Sequence, residues 1–325
     1  LSYVFISTAP MGMARRCRSN GAAFPTSPLS TFHENLSMSA TPSRTFDIDC
    51  ELDYQVNGPS DFLFQIHALN GMGQQVLEES LELTPGITPH VYQDPTVGHR
   101  FMRLQANTGP LKLHYRARVR STLSPRDTQA PEMPIAELPD EVMHNLMPTR
   151  YCESDLLSHA AQKLFGQLPR GYARAQAIAD WIYENIDYQV GTSIATTTAC
   201  DVFRQRAGVC RDFAHLGVTF CRALNIPARL VVGYSRFDTP PPDFHAVFEV
   251  WLGGQWVMFD ATRMAPVDEL MRIAMGRDAK DVAFATIFGP AMMTKMNPLI
   301  EPVADLAEAP ANSPPPQSPA LAQPA

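Results

Sequence analysis

Gly208-Val209-Cys210-Arg211-Asp212-Phe213-Ala214-His215-Leu216 places a cysteine at the entrance of an apolar, periodic run. Val209, Phe213, Leu216, Gly217, Phe220 and Leu224 recur at spacings of three and four, which predicts a buried helix at the centre of its domain. Asn225-Ile226-Pro227 stops it, because proline cannot continue a helix. A cysteine in the first turn sits at the positive end of the helix dipole, among backbone N–H groups with no partner inside the helix. Those groups favour a thiolate and can hold a developing oxyanion.

Outward from that helix, 229–234 reads as a strand, and 244–252 and 255–262 as two more joined at Gly253-Gly254, a hairpin signal. A two-residue turn pairs Leu252 with Gln255 and, counting back, Val247 with Asp260. His245 and Asp260 then leave one face as diagonal neighbours, roughly 7–8 Å apart at Cα and closer at the tips. Asp260 can orient the His245 ring and stabilise imidazolium while the other ring nitrogen addresses Cys210. Singly, each residue has a plainer reading: Cys210 as a small buried hydrophobe, Asp260 as a strand-end or turn residue, Asp212 as a complement to the helix N-terminus. His215, five residues past Cys210, lies about 140° around the helix and takes a supporting or core role. Cys210, His245 and Asp260 together point to thiol catalysis.

Upstream, Ser154 is expected to cap a helix with Leu156, Leu157, Ala160, Ala161, Leu164 and Phe165 on its apolar face. Ile178, Trp181, Ile182 and Ile186 mark a second helix, and a Thr-rich loop at 191–199 leads into a short helix at 200–206. The Pro-, Glu- and Asp-rich stretch 121–149 reads as a surface linker. Before it, Phe46, Ile48, Cys50, Leu52, Tyr54 and Val56 alternate strictly with polar residues, and similar alternations follow at 62–68 and 111–119. These strands predict an antiparallel β-sandwich over 44–120 ahead of a second domain at 150–295, an α+β chain overall. Gly71-Met72-Gly73 lacks the third glycine and following helix of a phosphate loop and reads as a turn. Residues 1–43 read as a disordered extension with Met38 a candidate initiator, and 296–325, with Ser313-Pro314-Pro315-Pro316, as a disordered Pro/Ala-rich tail.

A chain of 325 residues suits two domains. A net charge of -7 without any basic run argues against nucleic acid or an anionic membrane as partner. Six scattered cysteines with no CxxC pair disfavour a zinc site and a disulfide scaffold, so a reducing cytoplasm is the expected setting. Arg15, Arg16 and Arg18 follow the first apolar residues, the reverse of a secretory signal, and no run reaches the length of a membrane span.

The block from Gly208 to His215, with Ala223-Leu224-Asn225-Ile226-Pro227-Ala228-Arg229, Gly233-Tyr234, Phe244-His245-Ala246 and Phe259-Asp260, resembles the transglutaminase-like superfamily. Pro148-Thr149-Arg150-Tyr151-Cys152 and Gly276-Arg277-Asp278 look like its flanking signatures. Within the superfamily the chain looks like the bacterial transglutaminase-like cysteine peptidases that carry an N-terminal β-domain, over roughly residues 44 to 290. The resemblance implies a papain-like core, with helices packed on an antiparallel sheet. It also implies acyl transfer at a peptide or isopeptide amide through a thioester, on a protein or peptide substrate, without metal or organic cofactor. Cys210 would be the nucleophile, His245 the general base and acid, and Asp260 the orienter. Tyr188 is the candidate for a second oxyanion donor. Val247 and Ala261 stand where the family commonly has an aromatic and a proline, which bears on the shape of the substrate groove. Hydrolysis is the first expectation, because water needs no dedicated second site. Transfer to an amine is the alternative. A non-catalytic module built on the β-sandwich and the proline-rich tail is a third reading, one that goes with a broken triad.

Overall fold

The computed structural model describes residues 2–4, 42–95, 98–122, 125–237 and 241–303. The chain opens with strands β1 (Ser2–Val4), β2 (Ser43–Val56), β3 (Ser60–Phe64), β4 (Gln74–Thr84), β5 (His90–Gln93), β6 (Arg100–Ala106) and β7 (Gly109–Thr122). The alternation read along β2 is the burial pattern observed: Phe46, Ile48, Cys50, Leu52, Tyr54 and Val56 are all buried. β2 pairs antiparallel with β7 from Ser43↔Thr122 to Val56↔Gly109. Tyr54 meets Phe62 and Phe64 of β3 edge-on, at ring separations of 5.4 and 5.7 Å, so aromatic side chains join the inner faces of the two sheets.

Next come α1 (Asp140–Met143), α2 (Ser158–Phe165), α3 (Tyr172–Asn185), β8 (Asp187–Tyr188), α4 (Ala199–Gln205), β9 (Ala207–Gly208), α5 (Cys210–Ala223), β10 (Ala228–Tyr234), β11 (His245–Leu252), β12 (Gln255–Phe259) and β13 (Met271–Gly276). α5 is the predicted central helix and is buried from Cys210 to Arg222. Helices α2, α3 and α4 pack on one side of it and strands β10 and β11 on the other. The strands form an antiparallel sheet in the order β12-β11-β10-β13. Its hairpin has the expected register, from Leu252↔Gln255 to Phe248↔Phe259. β12 ends at Phe259 rather than at 262, because the Asp260 carboxylate accepts from the Thr262 N–H and turns the chain.

Three expectations change. α2 begins at Ser158 and Ser154 does not cap it. Residues 153–157 turn instead, with the Leu156 and Leu157 N–H groups both on the Glu153 carbonyl, which leaves Leu156 66% exposed. The second domain does not run on to 295 and then release a tail. β14 (Ala285–Phe288) enters the first domain between β1 and β3, and β15 (Ala291–Pro302) pairs with β2 from Ala291↔Val56 to Pro302↔Phe46. The sheets are therefore β1-β14-β3-β6-β5 and β15-β2-β7-β4. β15 is an edge strand, where Pro298 and Pro302 are tolerated, and so it has the look of a breaker-rich tail. At the other end, β1 pairs with β14 inside what was read as a disordered extension. The remainder of that extension, 5–41, and the tail from 304 onward lie outside the described residues.

Strand β13 docks the core on the β-domain. Leu69 N–H donates to the Arg272 carbonyl at 3.0 Å, Met275 N–H donates to His99 Nε2 at 3.0 Å, and the Gln74 amide bonds both backbone groups of Arg272. Tyr234 on β10 donates to the Ile66 carbonyl at 2.6 Å. Among the described residues no helix is long and apolar enough to cross a membrane.

Candidate active site

Asp212 organises the start of α5. One carboxylate oxygen accepts from the Val209 N–H at 2.9 Å, closing the first turn, and the other accepts from the Arg211 guanidinium at 2.8 Å. Arg211 Nη2 also reaches Ser193 Oγ at 3.0 Å and the Ile194 carbonyl at 3.1 Å, which ties the loop before α4 to the helix end. Gly208 is required there: a Cβ on it would stand 2.8 Å from Asp212 Cβ. Asp212 therefore does more than complement a dipole; it sets the backbone from which Cys210 projects.

Gly233 of β10 faces His245 of β11 in the sheet. His245 Nε2 lies 3.0 Å from Asp260 Oδ2, so the two residues that the hairpin register paired are in hydrogen-bond contact. Nδ1, the remaining ring nitrogen, is buried without a hydrogen-bond partner. Asp260 Oδ1 accepts from both the N–H of Thr262, at 2.8 Å, and its hydroxyl, at 2.7 Å. Burial pushes the Asp260 carboxyl up, but the bond to His245, its charge and the two bonds from Thr262 outweigh that and hold it below its ordinary value. The sequence reading missed Thr262; an Asp-x-Thr step directly after a strand is the turn signal that could have found it.

The Cys210 sulfur accepts from the N–H of Ala246, the residue after His245, so the thiol lies at the end of β11 that carries His245. Burial pushes this thiol well above its ordinary value, the Asp243 carboxylate adds to the effect, and the Ala246 N–H opposes it. The helix terminus does not prevail as the sequence suggested: burial outweighs it and raises the affinity of Cys210 for its proton. Tyr188, set opposite Gly208 by the β8–β9 pairing, directs its hydroxyl at the Cys210 backbone N–H and thiol. Cys210 and His245 are only 2% and 1% exposed, and Phe237 lies over the imidazole at 5.5 Å. A cleft lined by Gln176, Phe259, Asp260, Met264 and Pro266 opens at the carboxylate side of the cluster.

His215 is not part of this group. It stacks on Tyr151 with ring centres 5.3 Å apart and accepts from the Ala279 N–H at 3.1 Å, and burial holds it well below its ordinary pKa. Arg222, which the sequence reading passed over, is a buried brace that bonds the Ala228, Met147 and Arg277 carbonyls.

Comparison with known proteins agrees with this architecture. The family model of the Transglutaminase-like superfamily matches residues 158–261, and that of the Bacterial transglutaminase, N-terminal domain, matches 44–141. The crystal structure of a Cytophaga hutchinsonii protein provisionally named a cysteine protease is 42% identical. It superposes with a TM-score of 0.77 over 81% of this chain and 91% of that one. An uncharacterized protein of Mycobacterium leprae is 29% identical over 163 residues, 48% of this chain and 57% of that protein. One of Mycobacterium tuberculosis is 33% identical over 119 residues, 32% of this chain and 38% of that protein. The chain thus spans about half or less of the length of these curated relatives. With the helix-end cysteine, the antiparallel sheet and the preceding β-domain all in place, this chain belongs to the transglutaminase-like superfamily, in its bacterial form with an N-terminal β-domain.

Proposed function

We propose that this chain is a cysteine-dependent acyl-transfer enzyme that cleaves a peptide or isopeptide amide through a thioester on Cys210, with water as the acceptor. The observation that carries the reading is the 3.0 Å contact between His245 Nε2 and Asp260 Oδ2, which leaves Nδ1 buried and unpartnered on the residue next to Ala246, whose N–H meets the Cys210 sulfur. Nδ1 takes the thiol proton as sulfur attacks the carbonyl carbon, and the C=O π electrons move onto oxygen. As the C–N bond breaks, His245 returns the proton to the leaving amine. Water then attacks the thioester, giving its proton to His245, and the acid leaves as Cys210 regains its proton. Asp260, ionised at neutral pH, holds the ring and stabilises the imidazolium.

Similarity along most of its length to a protein named as a cysteine protease supports water over an amine. An amine reaching the same thioester would give transamidation, which is the second outcome to test. Free thiols at Cys50, Cys152, Cys200, Cys210 and Cys221 fit a reducing compartment such as the cytoplasm.

Iodoacetamide treatment at graded pH tests the nucleophile. Alkylation of Cys210 at neutral pH should fall at least about tenfold in His245→Ala. Alkylation independent of His245 overturns the reading. Peptide-library cleavage, compared with incorporation of a labelled amine into glutamine substrates, separates hydrolase from transamidase, with Cys210→Ala as the blank.

A further inference from the structure

Two clefts lie along strand β12, and they join into one groove. The first, about 390 Å³, lies between the domains, where Met72 and Gln74 of the β-domain share a wall with Trp251, Trp256 and Met258. The second, about 460 Å³, is the cleft beside Asp260. Arg126, Met258, Val267 and Asp268 line both. Gln255 to Met258 border the first and Met258 to Asp260 the second, so the groove follows β12 from its hairpin to the candidate triad. Among the described residues β12 is the edge of its sheet, with β11 on one side and no strand on the other. The far end of the groove is an aromatic platform held in place by its own contacts. Trp251 meets Trp256 edge-on at 5.2 Å, the Arg229 guanidinium stacks on Trp256 at 4.0 Å, and Arg229 bonds the buried Glu249 carboxylate at 2.9 Å. The Trp251 indole N–H is buried with no hydrogen-bond partner among the described residues. A buried donor left unpaired is costly, and a ligand carbonyl would satisfy it.

We propose that this groove binds the polypeptide on the leaving-amine side of the scissile bond, as an extended segment along β12 with an aromatic side chain at the Trp251 and Trp256 platform. This assignment rests on the acyl-transfer reading above. In that reaction the acyl part of the substrate stays on Cys210, while the leaving amine takes its proton from His245, whose other ring nitrogen faces Asp260. Substrate beyond the leaving amine therefore heads past the imidazole toward Asp260, where the groove begins. In a peptide this is the portion C-terminal to the cleaved bond. Extended main chain suits the walls. An edge strand has backbone donors and acceptors without a strand partner, and Arg126 and Asp268, 3.5 Å apart where the two clefts join, offer a donor and an acceptor side by side. The Trp251 N–H adds a donor for a carbonyl. The span from Asp260 back to Trp256 is roughly 14 Å at strand spacing, which sets the aromatic residue about four to six positions beyond the scissile bond. Through Met72 and Gln74 the β-domain takes part in choosing the substrate.

The test compares three substrates: the best-cleaved library peptide truncated shortly after its scissile bond, a longer form with an aromatic residue about four to six positions beyond that bond, and p-nitrophenyl acetate, which carries no polypeptide. Wild type should favour the long peptide over the short one by at least about tenfold in kcat/KM. Trp251→Phe keeps a ring and removes the donor, and Arg126→Ala alters an exposed side chain. Each should lower the ratio of kcat/KM for the long peptide to that for the ester by roughly three- to tenfold, and leave the short-peptide ratio unchanged. Equal kcat/KM for long and short peptides in wild type overturns the proposal. So does a long-peptide preference that survives both substitutions, or an active ester reaction with no peptide cleaved. A dimer that Arg126→Ala dissolves would assign the groove to a second copy of the chain and overturns it as well. In each of these cases a working ester reaction leaves the acyl-transfer reading standing and removes only the groove. If wild type shows neither ester acylation nor His245-dependent alkylation, the acyl-transfer reading itself fails, and the groove assignment falls with it.

Discussion

Asp260 bonds His245 through one oxygen and Thr262 through the other, so its position is set by the turn that ends β12 as well as by its partner. Asparagine can keep the Thr262 contacts, but its amide can donate to Nε2 and so favours the tautomer with its proton on Nδ1, the nitrogen that serves as base in the proposed reaction. Asp260→Asn should therefore lower the acylation rate by on the order of 10³–10⁴ with little change in fold, measured with an activated ester beside a circular-dichroism spectrum. Its effect on stability has a definite sign. The folded carboxyl titrates below the ordinary value, so the stability it contributes is full above about pH 4 and is lost as pH falls through the lower folded value. Urea midpoints of wild type and Asp260→Asn should differ most at neutral pH and converge in acid; a gap that widens in acid contradicts this. The residue types and the hairpin register were legible in the sequence. Thr262 and the raised thiol were not, because both depend on what else is buried around them.

The contact between α5 and β11 sets the distance from the helix of Cys210 to the strand of His245. At Gly217 the two come close enough that an added Cβ would stand 2.7 Å from the ring of Phe248, itself fully buried. In an open helix, replacing glycine by alanine gains up to about 1 kcal/mol. Here overpacking should prevail, so Gly217→Ala is expected to destabilise by about 1–3 kcal/mol, read from urea denaturation. A variant as stable as wild type would mean that this helix and strand can move apart freely. Periodicity found α5 and β11 because each is a regular run with a regular partner. It mislocated the start of α2, where Glu153 turns the chain and exposes Leu156.

For the whole molecule, the decisive feature is that the chain returns to its first domain. β14 and β15 complete sheets begun by β3 and β2, so the β-domain is assembled from segments on both sides of the core. Truncation after residue 290 should therefore leave β2 unpaired along one edge and expose its buried row. The expected result is loss of the cooperative unfolding transition and rapid proteolysis of the β-domain; a truncated chain with an unchanged melting profile would show that β15 is dispensable. Nothing near 291–302 marks this pairing, since its partner lies some 240 positions away and an edge strand tolerates proline. The sequence by itself determined the central helix, the strand alternation, the hairpin register and the three residues of the candidate triad, because each follows from periodicity or turn chemistry over a few positions. Only the tertiary structure decided the closure of the β-domain by β14 and β15, the approach of Tyr188 to Cys210 and the burial that raises the thiol's affinity for its proton. Those depend on burial and on contacts between distant segments, which no local pattern encodes.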